Sequence, residues 1–130
     1  MEAKELFSFF LPPDSLKYFE IENIEVKEGK EKYLGEYGFD DEYTIVFIEK
    51  EKLPDDPRKY ENKKLRTKGY SEINIEDFPI RGRKTKLRFR IRKWQIEGEP
   101  GIVQRKFDIK AEGVRYTREF AFFFKERNRD

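Results

Sequence analysis

Residues 84–92 alternate strictly between cations and uncharged residues, and this pattern constrains the fold more than any other in the chain. The cations share one parity: Lys84, Lys86, Arg88, Arg90 and Arg92. The other parity holds Thr85, Leu87, Phe89 and Ile91. A period of two residues is that of a β-strand with one buried face. The pattern therefore predicts a strand that presents the five cations, which we call the cationic ladder, on its exposed face.

We expect this strand to belong to a single α+β domain that spans residues 1–130. The turn residues Glu97–Gly101 follow the strand and predict a β-hairpin at 84–110. Tyr43–Ile48 is the most apolar run and predicts a central strand, and Pro12 and Pro13 end a short N-terminal helical segment. After Gly113 the aromatic residues have helical spacing: Tyr116, Phe120, Phe123 and Phe124. The predicted fold has short N-terminal helical segments, an antiparallel sheet of about four to six strands, and a C-terminal helix.

The ladder favours a polyanion as its ligand. Cations on one face of a strand recur about every 6.6 Å, because each residue rises about 3.3 Å, and a phosphate backbone can meet each of them. Arg81, Arg83 and Lys93 add charge at the flanks. Two other interpretations are open. The cations could simply keep an edge strand solvated, or the acidic residues of the N-terminal half could lie against them.

Trp94 follows the ladder and shares its parity if the strand continues unbroken, so it would project beside the cations as a stacking side chain. A bulge after Ile91 would instead turn Trp94 into the core. Arg115 and Arg118 begin the predicted C-terminal helix, where the helix dipole disfavours cations and a phosphate partner would explain them. The candidate nucleic-acid-binding residues are Arg81, Arg83, Lys84, Lys86, Arg88, Arg90, Arg92, Lys93, Trp94, Arg115 and Arg118.

Charge is distributed unequally along the chain. Residues 1–57 carry 7 cationic and 16 acidic residues, whereas residues 58–130 carry 22 and 11. Such asymmetry indicates a nucleic-acid-facing region, here the basic β-ribbon and C-terminal helix of 58–130, beside an acidic region, residues 1–57, with another role. Lys63, Lys64, Arg66 and Lys68 form a second basic cluster, which could extend the ladder surface or be ordinary solvated charge.

The chain contains neither cysteine nor histidine. Disulfides, thiolate chemistry and the usual zinc sites are therefore excluded, and the commonest general base is missing. No phosphate-binding glycine loop or nucleophile motif is present, so we predict no catalysis, no cofactor and no metal site. We find no signal peptide and no apolar run long enough to span a membrane, and we expect a cytoplasmic protein with no membrane partner.

Several short motifs, in their order along the chain, resemble the N-terminal region of insertion-sequence transposases in which a short first reading frame precedes the DDE catalytic frame. The matching segments are Phe10–Phe19, Lys68–Tyr70, Asp77–Gly82, Leu87–Trp94, Ala111–Ala121 and 124–126. A wider transposase group, similar in framework, has a zinc ribbon whose cysteine pair flanks the counterpart of 95–106. Gln95–Lys106 contains no cysteine, so a plain β-hairpin must hold this turn.

The resemblance implies binding of double-stranded DNA at transposon ends, with the DDE catalytic domain on a separate or downstream chain. On this interpretation the chain is a non-catalytic accessory component of the transposase, and it could also form a homo-oligomer. The alternative is a protein-interaction or assembly module that docks a partner chain through its acidic half and its C-terminal helix. Single-stranded nucleic-acid binding through Trp94 is a third hypothesis.

Overall fold

The protein is described by a computed structural model over residues 8–29, 41–51, 63–80 and 82–124, with the backbone alone at 78, 80 and 116–124. One short helix and six strands lie in these ranges. They are α1 Ser15–Tyr18, β1 Phe19–Lys27, β2 Glu42–Glu49, β3 Leu65–Ile80, β4 Arg83–Ile96, β5 Gly101–Lys110 and β6 Gly113–Phe124. Arg81 lies outside the described residues.

The strands form one open mixed sheet around β4. The order is β1-β2-β4-β5-β6, with β3 on the other edge of β4. β2 is parallel to β4, and the other pairs are antiparallel. The prediction of an antiparallel sheet is therefore wrong for this one pair. Parallel pairing needs a crossover connection, and the chain between β2 and β4, which includes β3, makes it here.

β4 changes its neighbour midway along one edge. Its pairing with β2 ends at Arg90, opposite Ile48. Further along the same edge of β4, Trp94 and Gln95 pair with β5. β3 pairs with the other edge of β4 over its whole length. The hairpin expected over 84–110 is present only in part, because β4 and β5 pair at two positions beside the turn. Gly98 at this turn has a φ of 81°, a conformation that favours glycine.

The core lies on the apolar face of β4, as the alternation predicts. Leu87 and Phe89 are fully buried, and Phe89 stacks on Phe47 of β2 with ring centroids 4.6 Å apart. β5 and β6 fold over this face. Phe107 of β5 lies 4.8 Å from the Phe19 ring, and the Val114 N–H donates to the Pro13 carbonyl. The N-terminal turns and the last hairpin thus close the core from the same side.

The predicted C-terminal helix is wrong, because residues 113–124 form strand β6. Lys110 pairs with Gly113 across a tight turn, and the pairing with β5 extends to Phe124 opposite Gly101. The segment also fits a period of two, since Val114, Tyr116, Phe120 and Phe122 share one parity. Valine, threonine and aromatic residues favour strands, and the neighbouring edge of β5 supplies the hydrogen bonds. A period of 3.6 and a period of 2 both fit this aromatic run, and strand pairing decides between them.

Candidate nucleic-acid interface

The ladder lies on the face of the sheet opposite the core, where acidic side chains meet its arginines. Arg90 contacts Glu22 of β1 at 2.7 Å and Glu72 of β3 at 3.9 Å. Arg88 contacts Glu25 at 3.3 Å, and its Nε donates to Asn74 Oδ1. The acids of two other strands therefore surround these guanidinium groups.

The lysines at the start of the ladder also have an acidic neighbour. Lys84 and Lys86 both lie 3.9 Å from the Glu42 carboxylate of β2. Beneath this charge layer Val46 is buried although it faces away from the core, and the aliphatic stems of the arginines are suited to cover it. We call these eight residues the charged face: Glu22, Glu25, Glu42, Glu72, Lys84, Lys86, Arg88 and Arg90. This arrangement agrees with the interpretation in which acidic residues of the N-terminal half lie against the ladder.

Arg92, the last cation of the ladder, is buried. Its Nε donates to the Glu49 carbonyl at 2.7 Å, and its Nη1 donates to the hydroxyls of Thr67 and Tyr70 at 3.0 and 3.3 Å. The backbone N–H of Arg92 donates to Glu49 Oε1 at 2.9 Å. This position lies in the interval of β4 between the end of β2 and the start of β5, so the Glu49 carboxylate takes the place of a strand partner.

Two residues of β5 complete this buried polar centre. Arg105 Nε lies 3.0 Å from Glu49 Oε2. The Gln104 side chain donates to the Ile91 carbonyl at 3.1 Å and accepts from the Ser71 hydroxyl. We call Glu49, Arg92, Gln104 and Arg105 the junction, because they connect β2, β4 and β5 where the sheet changes partner.

The pKa of the Glu49 carboxyl is shifted from its ordinary value. Burial raises the pKa of the Glu49 carboxyl, and the nearby positive charge of Arg105, followed by the hydrogen bond from Arg92, opposes that rise only in part. The carboxyl is fully buried. Removing one member of a buried ion pair is strongly destabilising, because the other charge then stays buried without a compensating charge.

Trp94 continues the parity of the ladder and yet is buried, with 5% of its surface exposed. The register shift in this region is in β3, between Thr67 and Tyr70, and β4 itself runs on without a bulge. Trp94 is opposite Val103 of β5, and Arg92 lies over its ring at 5.9 Å. The indole is therefore part of the interior and offers no stacking surface to a single strand.

Four cations gather where β3 begins and β4 ends, and we call them the basic patch: Lys64, Arg66, Lys68 and Lys93. The first three are exposed and Lys93 is half-buried. Arg66 is opposite Gln95, and the Glu97 N–H donates to the Lys64 carbonyl at 2.9 Å, so the two strands run side by side through the patch. Within the described ranges, no acidic side chain forms an ion pair with any of the four. Lys63 beside them pairs with Glu99 at 3.3 Å.

The remaining candidates are distributed over other regions of the molecule. Arg83 begins β4 and is half-buried. Arg115 is exposed on β6, opposite Asp108, and Arg118 lies on the same strand. Both residues are in a strand, so the argument from a helix dipole does not apply to them. The structure thus brings the ladder cations together, but it separates them from Arg115 and places them against acids.

No known protein family, curated protein or solved structure matches this chain. In the portion of the chain that the structure describes, none of the helices has the length and apolar character to cross a membrane.

Sequence reasoning missed the junction. Glu49 ends an apolar run, where a charged residue usually marks the return to solvent, and nothing in its neighbourhood signals burial. Arg105 did interrupt the apolar parity of Val103, Phe107 and Ile109 on its strand. A charge at a core position predicts a buried partner of opposite sign, so this interruption was the available signal.

Proposed function

We propose that this chain binds double-stranded DNA as the accessory N-terminal component of an insertion-sequence transposase, and that the basic patch provides the contact. The catalytic DDE domain would reside on a separate or downstream chain, and the complex would act in the cytoplasm at transposon ends. The order of the sequence motifs supports the transposase assignment. The position of the contact is supported by a different observation, the lack of acidic partners at the patch within the described ranges.

That observation separates two groups of cations. Lys84, Lys86, Arg88 and Arg90 each lie within 4.0 Å of a carboxylate, so a phosphate would have to displace or tolerate an existing anion. Exposed cations without such a partner keep their full charge for an external phosphate. Phosphate contacts release condensed counterions from DNA, which makes unpaired surface lysines and arginines effective binding groups.

The test is a pair of double charge reversals with equal changes in net charge. Arg66→Glu/Lys68→Glu alters the patch, and Lys84→Glu/Lys86→Glu alters the charged face. Binding of a fluorescent duplex is measured by anisotropy at low salt. We expect the first variant to lose on the order of 100-fold in affinity at about 50 mM salt, since each substitution replaces a DNA-contacting cation with an anion. We expect the second variant to stay within a few-fold of the wild type.

A salt titration gives a second measure. Three lysine–phosphate contacts, those of Lys64, Lys68 and Lys93, predict a slope of log affinity against log salt of about −2.7. Equal losses of affinity in the two double variants would show that only net charge determines binding. The basic patch would then not be the binding site. Absence of binding to any duplex at low salt would contradict the DNA-binding function itself.

Strand β1 favours a second candidate function, the docking of a partner chain through the acidic half. β1 is an edge of the described sheet, and its Ile24 and Val26 are 46% and 40% exposed. Exposed apolar residues on a sheet edge are typical of a surface that accepts another chain. Copurification with the product of the adjacent reading frame, lost in an Ile24→Lys/Val26→Lys variant, would support docking. Retention of the complex in that variant would contradict it.

A further inference from the structure

Arg66 and Gln95 occupy the centre of the basic patch as a directly opposed pair. They are register partners on β3 and β4. Both side chains line a groove of about 430 Å³, which continues past Lys64 to the turn at 97–100. The next register pair along the two strands, Thr67 and Trp94, lies on the opposite face, where the Thr67 hydroxyl accepts from Arg92. Arg66 and Gln95 therefore face outward together.

The two side chains differ in kind from the lysines around them. Arginine and glutamine are planar and present two hydrogen-bonding groups in a fixed arrangement, whereas the lysine ammonium is a flexible point charge. In the major groove, guanine presents two acceptors that an arginine fork can bind, and adenine presents a donor and an acceptor that suit an amide. The patch thus places two side chains suited to base edges between cations suited to phosphates.

The spacing agrees with the dimensions of DNA. Opposed residues of an antiparallel pair have Cβ atoms about 5 Å apart, which is within side-chain reach of two base pairs stacked about 3.4 Å apart. Lys64 and Lys68 flank Arg66 at a separation of about 13 Å along an extended strand. The major groove is about 12 Å wide, so the two lysines can reach the phosphates on its two sides.

We propose that Arg66 and Gln95 are the base-reading pair of this chain, and that they recognise a guanine next to an adenine in the major groove of double-stranded DNA. This inference rests on the proposed DNA-binding function. Lys64, Lys68 and Lys93 bind the phosphate backbone of the DNA in this arrangement and do not themselves discriminate between base sequences. Two acids, Glu97 and Glu99, also line the groove, and Lys63 pairs with Glu99, which limits the repulsion of phosphates by that carboxylate.

The experiment selects bound duplexes from a random-sequence pool and determines the enriched sequences by deep sequencing. The wild type should enrich a guanine–adenine step. Arg66→Lys keeps the charge but removes the planar fork, and it should lower the enrichment of guanine by roughly 10-fold to 100-fold. Gln95→Ala should lower the enrichment of adenine to a similar degree. The salt slope of Arg66→Lys should equal that of the wild type.

Lys68→Ala is the matched control, because it removes a phosphate contact and no base contact. It should reduce the magnitude of the salt slope by about 0.9 and leave the enriched sequence unchanged. Arg66 and Lys68 are exposed and Gln95 is half-buried, and a thermal melt by circular dichroism verifies that the variants fold.

The outcomes separate this inference from the function on which it rests. If the wild type binds the pool but enriches no step, or if Arg66→Lys preserves the enrichment, the base-reading assignment is wrong and DNA binding stands. If no duplex in the pool is bound, the proposed function fails as well.

Discussion

β4 carries three arginines of the same parity in two different environments. The side chains of Arg88 and Arg90 are 32% and 28% exposed and form ion pairs with acids of β1 and β3. The Arg92 side chain, two residues further, is 10% exposed and binds backbone and hydroxyl groups. The difference arises where β2 ends and β5 begins. Alternation determines which side of a strand a residue faces, whereas the neighbouring strands determine whether that side is solvent.

This comparison predicts very different costs for breaking ion pairs in the two regions. The largest effect should follow Glu49→Ala, which removes the acceptor for the Arg92 N–H and breaks the buried 3.0 Å ion pair with Arg105. We expect a loss of about 3 to 5 kcal/mol in the free energy of unfolding, the usual cost of removing one partner of a buried pair. Urea denaturation followed by circular dichroism measures it.

Glu25→Ala is the control on the charged face. Glu25 contacts Arg88 at 3.3 Å but is 49% exposed. Solvent screening limits such a pair, so its loss should cost less than about 1 kcal/mol. Similar costs for the two alanine variants would break the distinction between the junction and the charged face.

The stability of the protein should also depend on pH through the junction. Burial raises the pKa of the Glu49 carboxyl, so folding favours its protonated form. The resulting stabilisation is fully present below the unfolded pKa, about 4.3 for glutamate, and is lost as the pH rises through the folded pKa. Relative to Glu49→Gln, the wild type should therefore lose stability from about pH 4 towards neutrality. Urea denaturation of both proteins at matched pH measures this, and a constant difference at every pH would contradict it.

Gln104→Ala should have an intermediate effect. The variant loses the hydrogen bond to the Ile91 carbonyl and the bond from Ser71. Because Gln104 is buried, we expect a loss of about 1 to 2 kcal/mol in the free energy of unfolding. Ser71→Ala removes only the 3.3 Å bond and should cost less. A larger loss for Ser71→Ala than for Gln104→Ala would show that the bond to the β4 backbone contributes little.

The sequence predicts the local elements of this comparison but not their pairing. The alternation at 84–92 correctly places Leu87 and Phe89 in the core, and the apolar run 43–48 is an inner strand, β2. The parallel pairing of β2 with β4 joins segments about 40 residues apart, and no local pattern encodes it. The burial of Glu49 and Arg92 follows from that pairing, so the local sequence does not predict it either. For the candidate site, the sequence identifies the cations. It does not identify the acids of β1 and β3 that pair with the ladder, because their position depends on strand pairing.

On the charged face itself, Arg90→Ala should also have a small effect. Arg90 has the shortest ion pair of the ladder, 2.7 Å to Glu22, and its guanidinium lies 4.2 Å from the centre of the Tyr70 ring. Because solvent and salt screen partly exposed pairs, the loss should remain below about 1 kcal/mol and decrease as sodium chloride is added. Urea denaturation at low and high salt measures both quantities. A loss as large as that of Glu49→Ala, unaffected by salt, would mean that Arg90 acts as a buried structural residue like Arg92. The two arginines would then not differ in environment.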